Sequence, residues 1–178
     1  MRGQAENQAN VKFSHKKYFS FRNKINTKFS EKFYSDMQID FVSRALCFGD
    51  TQPAVVVSTE PLIIAAYSDE MDGVVMLSFP SEFVEKYDLT VGSRLTTSNV
   101  YFTSDQCAKD IFPGEGFSFQ YGDFTPIVQL FLGKNDEKIA KKVDLFGEDV
   151  WSKVASKAAE YREAHPGLCR DGFFYFKK

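Results

Sequence analysis

The sequence has few of the side chains from which metal centres, disulfide frameworks and nucleophilic sites are built. Its 178 residues include three cysteines, two histidines and one tryptophan. The cysteines, Cys47, Cys107 and Cys169, are widely spaced and odd in number, which argues against a secreted disulfide scaffold and favours a reducing compartment. No Cys-x-x-Cys pair begins a zinc site, and a helix-ending Pro-Gly pair separates His165 from Cys169. The sequence therefore predicts no cofactor, no metal centre and no Cys–His nucleophile.

Long apolar runs are also absent. The longest, at residues 55–57 and 62–67, fall far short of the roughly 20 residues that span a bilayer. The first 30 positions lack the apolar core of a secretory signal, because lysine, asparagine and serine recur there. We therefore expect no membrane span and a cytoplasmic location.

The charge is distributed unevenly along the chain, although the formal total is only −2. Residues 1–36 contain eight Lys or Arg and three acids, a net charge of +5, whereas residues 37–178 have a net charge of −7. This contrast predicts a basic, aromatic-containing N-terminal extension (1–36) and a single acidic domain (37–178). Several interpretations of the extension stay open: a nucleic-acid-binding arm, a transit peptide, a disordered segment, or a wrongly assigned start upstream of a true start at Met37.

The nucleic-acid interpretation depends on cations that alternate with aromatic rings. Single-stranded nucleic acid is bound by cations that contact phosphates and by rings that stack on bases. The candidate residues are Lys16, Lys17, Tyr18, Phe19, Phe21 and Arg22.

Runs of β-branched and aromatic residues predict the strands, and capped amphipathic segments predict the helices. The predicted strands cover residues 37–48, 54–58, 62–68, 73–79, 93–102 and 172–176. The predicted helices cover residues 81–87, 103–112, 125–133, a short segment from 135, and 148–165. Because most strands precede most helices, we expect an α+β fold, an antiparallel sheet of about five strands with C-terminal helices packed on it.

Asp69, Glu70 and Asp72 form the densest group of ionisable residues and lie between two predicted strands. Hard cations such as Mg²⁺ prefer oxygen ligands, so these residues are candidates for metal-assisted hydrolysis, with Asp69 and Asp72 as the metal ligands. Asp50 and Asp123 would add carboxylates if the fold brought them near. The structural alternative is a solvated hairpin turn.

Residues 113–123 are expected to form an irregular loop with three alternating aromatic side chains. Loops often carry binding residues, and large rings anchor protein partners, so Phe117, Phe119 and Tyr121 are candidate partner-binding residues. Arg94 is a further candidate, because a guanidinium binds carboxylates and phosphates. The structural alternative is that these aromatic residues pack in the core.

The aromatic content favours an interacting protein. The chain has 19 Phe and 8 Tyr, more than an ordinary core requires, which predicts a homo-oligomer or a stable complex. Together with the acidic domain, it favours a small soluble intracellular binding or regulatory protein that acts through a protein partner and neutralises a basic one. The alternatives are the metal-assisted hydrolase and single-stranded nucleic-acid binding through residues 1–36.

Overall fold

The structure is a computed structural model that describes residues 7–22 and 31–174; of residues 21, 22 and 31–35 it describes the backbone alone. The helices are α1 (His15–Arg22), α2 (Glu31–Phe48), α3 (Glu82–Lys86), α4 (Gln129–Leu132), α5 (Asp136–Ala140) and α6 (Glu148–Ala164), with a 3-10 helix at Lys141–Leu145. The strands are β1 (Asp50–Thr59), β2 (Leu62–Ser68), β3 (Gly73–Phe79), β4 (Arg94–Phe102), β5 (Asp123–Val128) and β6 (Arg170–Asp171).

The six strands form one sheet in the order β5-β4-β1-β2-β3-β6. All neighbouring strands are antiparallel except β3 and β6, whose two-residue pairing is parallel. The predicted α+β fold and the antiparallel meander of β1, β2 and β3 are confirmed. The sheet is mixed because β6 follows the long helix α6 and returns alongside β3.

Both faces of the sheet are covered, because alternate residues of a strand point to opposite faces. Val55 of β1 packs in a smaller cluster with α6, whereas its neighbours Ala54 and Val56 belong to the main core. The buried stripe of α6 has helical spacing and consists of Trp151, Val154, Ala158 and Tyr161. The predicted helix at 148–165 is thereby confirmed.

The main core includes residues from the N-terminal part of the chain. Ala9, Val11, Phe13 and Tyr18 are buried in it together with side chains of α2, α4 and the sheet. The backbone of residues 9–11 also donates hydrogen bonds to carbonyl groups of residues 46–49. The core therefore extends across the boundary that the charge distribution suggests at residue 36.

The predicted strand at residues 37–48 is wrong, because these residues belong to α2. The buried side chains there are Val42, Ala45 and Leu46, which lie at the i, i+3 and i+4 positions of one helical face. The alternation of apolar residues near the start of this segment has no counterpart in burial, since Met37 is 58% exposed.

Two predicted helices are also wrong. No helix forms at residues 103–112, where the chain is a loop held by a hydrogen bond from the Ala108 amide to the Gly122 carbonyl at 2.8 Å. Residues 123–128 form strand β5, and only the following residues up to Leu132 are helical. Thr125-Pro126 suits a helix start, but proline is equally compatible with an edge strand, which β5 is.

The remaining predictions are largely confirmed. Helix α3 lies within residues 81–87, and α5 begins after Asn135, whose side chain accepts a hydrogen bond from the Lys138 amide at 3.0 Å. The predicted strand at 172–176 is displaced to β6. Residues 172–174 form a turn, and residues 175 and 176 lie outside the described residues.

Candidate functional site: an acidic turn joined to an aromatic loop

The turn between β2 and β3 is fixed by Asp72, whose side chain is turned into the protein. Asp72 is 5% exposed, and its carboxylate lies 2.6 Å from Lys153 Nζ and 3.4 Å from Lys157 Nζ, both on α6. It also accepts hydrogen bonds from the Tyr67 hydroxyl at 2.9 Å and from the Gly116 amide at 3.0 Å. Although burial opposes ionisation, these donors and cations hold the pKa of Asp72 well below its usual range. Asp72 is therefore a buried anion that anchors the turn.

The other two acids of the turn point away from this anchor. Asp69 is exposed and Glu70 is half-buried. The Tyr101 hydroxyl donates to Asp69 at 3.3 Å, and the Glu70 backbone amide donates to the same carboxylate at 2.8 Å. In the part of the chain that the structure describes, no three His, Cys, Asp or Glu side chains are grouped to hold a metal ion. The metal-ligand role of Asp69 and Asp72 stays a prediction.

The loop 113–121 is joined to the turn by three backbone hydrogen bonds. The Gly114 amide donates to the Met71 carbonyl at 3.1 Å, the Gly116 amide to the Asp72 carboxylate, and the Ser118 amide to the Glu70 carbonyl at 2.8 Å. Glycine is required at position 114, because a Cβ there would overlap the carbonyl and carboxylate oxygens of Asp72. The structure thus brings together the acidic residues and the aromatic residues that the sequence suggests separately.

The aromatic side chains of the loop have different environments. Phe119 is 85% exposed and has φ 60°, a left-handed conformation that is rare for a bulky residue. Phe117 is half-buried against the core, and its ring centroid lies 4.4 Å from that of Phe119. Tyr121 stacks on Tyr101 with centroids 5.0 Å apart. Phe117 and Tyr121 therefore form the base from which Phe119 projects.

We call this region the acidic–aromatic surface and define it by Asp69, Glu70, Glu115, Phe117, Phe119 and Tyr121. Glu115 is exposed on the loop between the two glycines. None of the three carboxylates forms an ion pair with any residue that the structure describes. The surface therefore combines a projecting ring with acidic side chains that are open to a cation.

A fourth acid, Asp50, lies beneath this surface at the start of β1. Asp50 is 9% exposed and accepts a hydrogen bond from Gln52 Nε2 at 2.5 Å. Burial, together with the negative charges of Asp69 and Glu70, raises the pKa of Asp50 to about 6. Sequence reasoning named Asp50 as an additional carboxylate, but the burial that perturbs it depends on the pairing of β1 with β4.

The structure places Asp123 and Arg94 elsewhere. Asp123 binds Arg170, with Oδ1 2.9 Å from Nη2. Arg94 forms two 2.6 Å hydrogen bonds with Glu148, and its guanidinium lies 5.0 Å from the Trp151 ring centroid. Arg94 begins β4, whereas the acidic–aromatic surface lies at the other end of that strand, roughly 20 Å away at about 3.3 Å per residue.

The candidate nucleic-acid residues lie on or beside α1, in several environments. Tyr18 is fully buried, and Lys17 is 2.7 Å from Asp136, so neither presents a free ring or cation. Lys16 is exposed and Phe19 is 37% exposed. The side chains of Phe21 and Arg22 lie outside the described residues.

The chain matches no protein-family model, no curated protein and no solved structure. Within residues 7–22 and 31–174, no helix has both the length and the apolar character needed to cross a membrane.

Proposed function

We propose that this protein binds a basic segment of a protein partner through the acidic–aromatic surface. The observation that carries the proposal is the placement of Phe119. This large apolar side chain is almost fully exposed, has an unfavourable backbone conformation and projects from a loop that is tied to the acidic turn. A strained, exposed ring contributes little to folding, whereas buried aromatic rings are frequent anchors of protein interfaces.

The charge around Phe119 defines the chemistry of the partner. Asp69, Glu70 and Glu115 would attract Lys or Arg side chains, and the net charge of −7 over residues 37–178 adds a long-range attraction. The Phe119 ring would pack against an apolar or aliphatic part of the same segment. Its exposed face is also suited to a cation–π contact with arginine.

The two other functions that the sequence suggests have less support. Metal-assisted hydrolysis would require Asp72 to exchange its contacts with Lys153 and Lys157 for a cation. Nucleic-acid binding by α1 would have to proceed without the buried ring of Tyr18.

Calorimetric titration with a panel of short Arg-rich and Lys-rich peptides tests the proposal, with acidic peptides of equal length as the negative control. We expect basic peptides to bind with an affinity that falls as salt is added, because exposed charges are screened. Phe119→Asn should weaken binding about tenfold, the effect of roughly 1.4 kcal/mol at an interface anchor. The triple neutralisation of Asp69, Glu70 and Glu115 should abolish it.

The matched control is Leu145→Asn, which removes an apolar side chain that is 64% exposed outside this surface. Its affinity should equal that of the wild type. The proposal is wrong if no basic peptide binds, or if Phe119→Asn and Leu145→Asn bind the peptides equally well.

A further inference from the structure

We propose that a second site, independent of the acidic–aromatic surface, binds a small organic carboxylate with an apolar body. The site is a cavity of about 260 Å³ between the start of β4, the residues after α3, and α5. We call it the Arg94 pocket. Its lining includes the side chains of Arg94, Tyr87, Leu95, Leu130, Ile139 and Val143.

The walls of the Arg94 pocket favour an apolar ligand of small size. Leu95 and Ile139 are buried core residues, and Leu130 and Val143 add aliphatic surface. Pockets for drug-sized molecules have volumes of about 300–1,000 Å³, so this one suits a shorter aliphatic chain or a single ring.

Tyr87 supplies a hydrogen-bonding group that the protein itself leaves unused. Its hydroxyl oxygen is buried and has no hydrogen-bond partner among the described residues. Buried hydroxyls usually have a partner, because an unpaired one loses its hydration without compensation. Burial also raises the pKa of Tyr87, so the hydroxyl stays protonated and can donate to a ligand oxygen.

Arg94 supplies the charge that selects a carboxylate. Its guanidinium lies against the Trp151 ring and binds both carboxylate oxygens of Glu148. Both partners are substantially exposed, at 40% and 78% of their side chains, so their ion pair contributes little to stability. A ligand carboxylate can therefore replace Glu148 in the same two-bond geometry while its apolar part enters the pocket. Asp88, also on the lining, disfavours anions and makes the release of Arg94 from Glu148 decisive.

Trp151 provides the measurement, because it is the only tryptophan of the chain and lies beneath Arg94. Its fluorescence is recorded while hexanoate, benzoate, hexanamide or hexylamine is added. We expect a saturable change with hexanoate or benzoate and affinities about tenfold weaker for hexanamide and hexylamine, which lack the charge-assisted hydrogen bonds.

Variants separate binding in the Arg94 pocket from a general effect of organic acids. Glu148→Gln should tighten carboxylate binding several-fold, because it removes the competing anion. Arg94→Gln should abolish the preference for hexanoate over hexanamide, whereas Arg162→Gln, a surface arginine bonded to the Val57 carbonyl, should leave it unchanged. Tyr87→Phe should weaken hexanoate binding while raising the melting temperature, because the unpaired hydroxyl is removed.

The proposal is overturned if neither acid binds the wild type or Glu148→Gln when ligand-observed NMR is used as a second readout. It is also overturned if Arg94→Gln retains the wild-type preference for hexanoate.

Discussion

The guanidinium of Arg170 binds the carboxylate of Asp110 through two hydrogen bonds, from Nε at 2.5 Å and from Nη2 at 2.8 Å. The same guanidinium donates to Asp123 at 2.9 Å and to the Phe124 carbonyl at 2.6 Å. One side chain thus connects β6, the loop at residues 103–122 and β5. Burial opposes the charge of Arg170, but these acceptors raise its pKa and lower that of Asp110.

Arg170→Lys is therefore expected to destabilise the fold, although it keeps the charge. Lysine cannot reproduce the planar fork that reaches four acceptors, so we expect a loss of about 2 kcal/mol in urea unfolding. Arg162→Lys, at an exposed arginine with a single hydrogen bond to Val57, should change the stability by less than about 0.5 kcal/mol. Equal effects of the two variants would contradict the connecting role of Arg170.

Asp50 makes the stability depend on pH in an unusual direction. Its pKa is raised to about 6 in the folded protein, compared with about 3.9 in an unfolded chain, so the native state binds the proton more tightly. Its contribution to folding therefore becomes more favourable as the pH falls from 7 to about 4 and is constant below that range.

Asp50→Asn removes this dependence while keeping an acceptor for Gln52. We expect the variant to be more stable than the wild type by about 2 kcal/mol at pH 7 and by progressively less towards pH 4. Urea unfolding of both proteins across this range measures the difference, in which the contributions of all other acids cancel. A difference that does not vary with pH would contradict the prediction.

Phe119 is expected to tolerate only residues that accept its backbone conformation. Asparagine visits the left-handed region readily, whereas β-branched residues strongly avoid it. At φ 60° we therefore expect Phe119→Asn to be at least as stable as the wild type and Phe119→Val to be less stable than Phe119→Asn by about 1–2 kcal/mol. Thermal unfolding of the pair decides the matter, and equal melting temperatures would mean that the loop does not impose this conformation.

Phe13 and Phe19 form a matched pair for testing whether the N-terminal residues belong to the domain. Phe13 is 5% exposed in the main core, and Phe19 is 37% exposed. Phe13→Ala should cost about 3–4 kcal/mol of unfolding free energy, the usual loss for a buried phenylalanine. Phe19→Ala should cost about 1 kcal/mol or less. A neutral Phe13→Ala would show that the core does not require this segment.

The sequence predicts best the elements whose burial depends on local pattern. β2 and β3 are short apolar runs between turn residues, and α6 carries a regular stripe, so both types were correctly predicted. α2 was mistaken for a strand, although Val42, Ala45 and Leu46 already have helical spacing. The signal was overlooked because alternating apolar residues precede it.

The predicted helix at 103–112 was wrong for a different reason. Its capping pattern at Thr103–Gln106 is genuine, but Asp110 finds a stronger partner in Arg170, which is 60 residues away in the chain. Similarly, the residues of the acidic–aromatic surface were each named from the sequence, yet their proximity depends on backbone bonds such as that from Ser118 to Glu70. No pattern of side chains encodes those bonds.

The bond between Arg170 and Asp110 also sets an order of events during synthesis. When the ribosome has made the loop at 103–122, its guanidinium partner does not yet exist, and another 60 residues must follow. We therefore expect the loop to gain its final shape late, after the meander of β1, β2 and β3 has assembled. A nascent chain would then present no finished docking surface, so the protein completes its own folding before it can capture a partner.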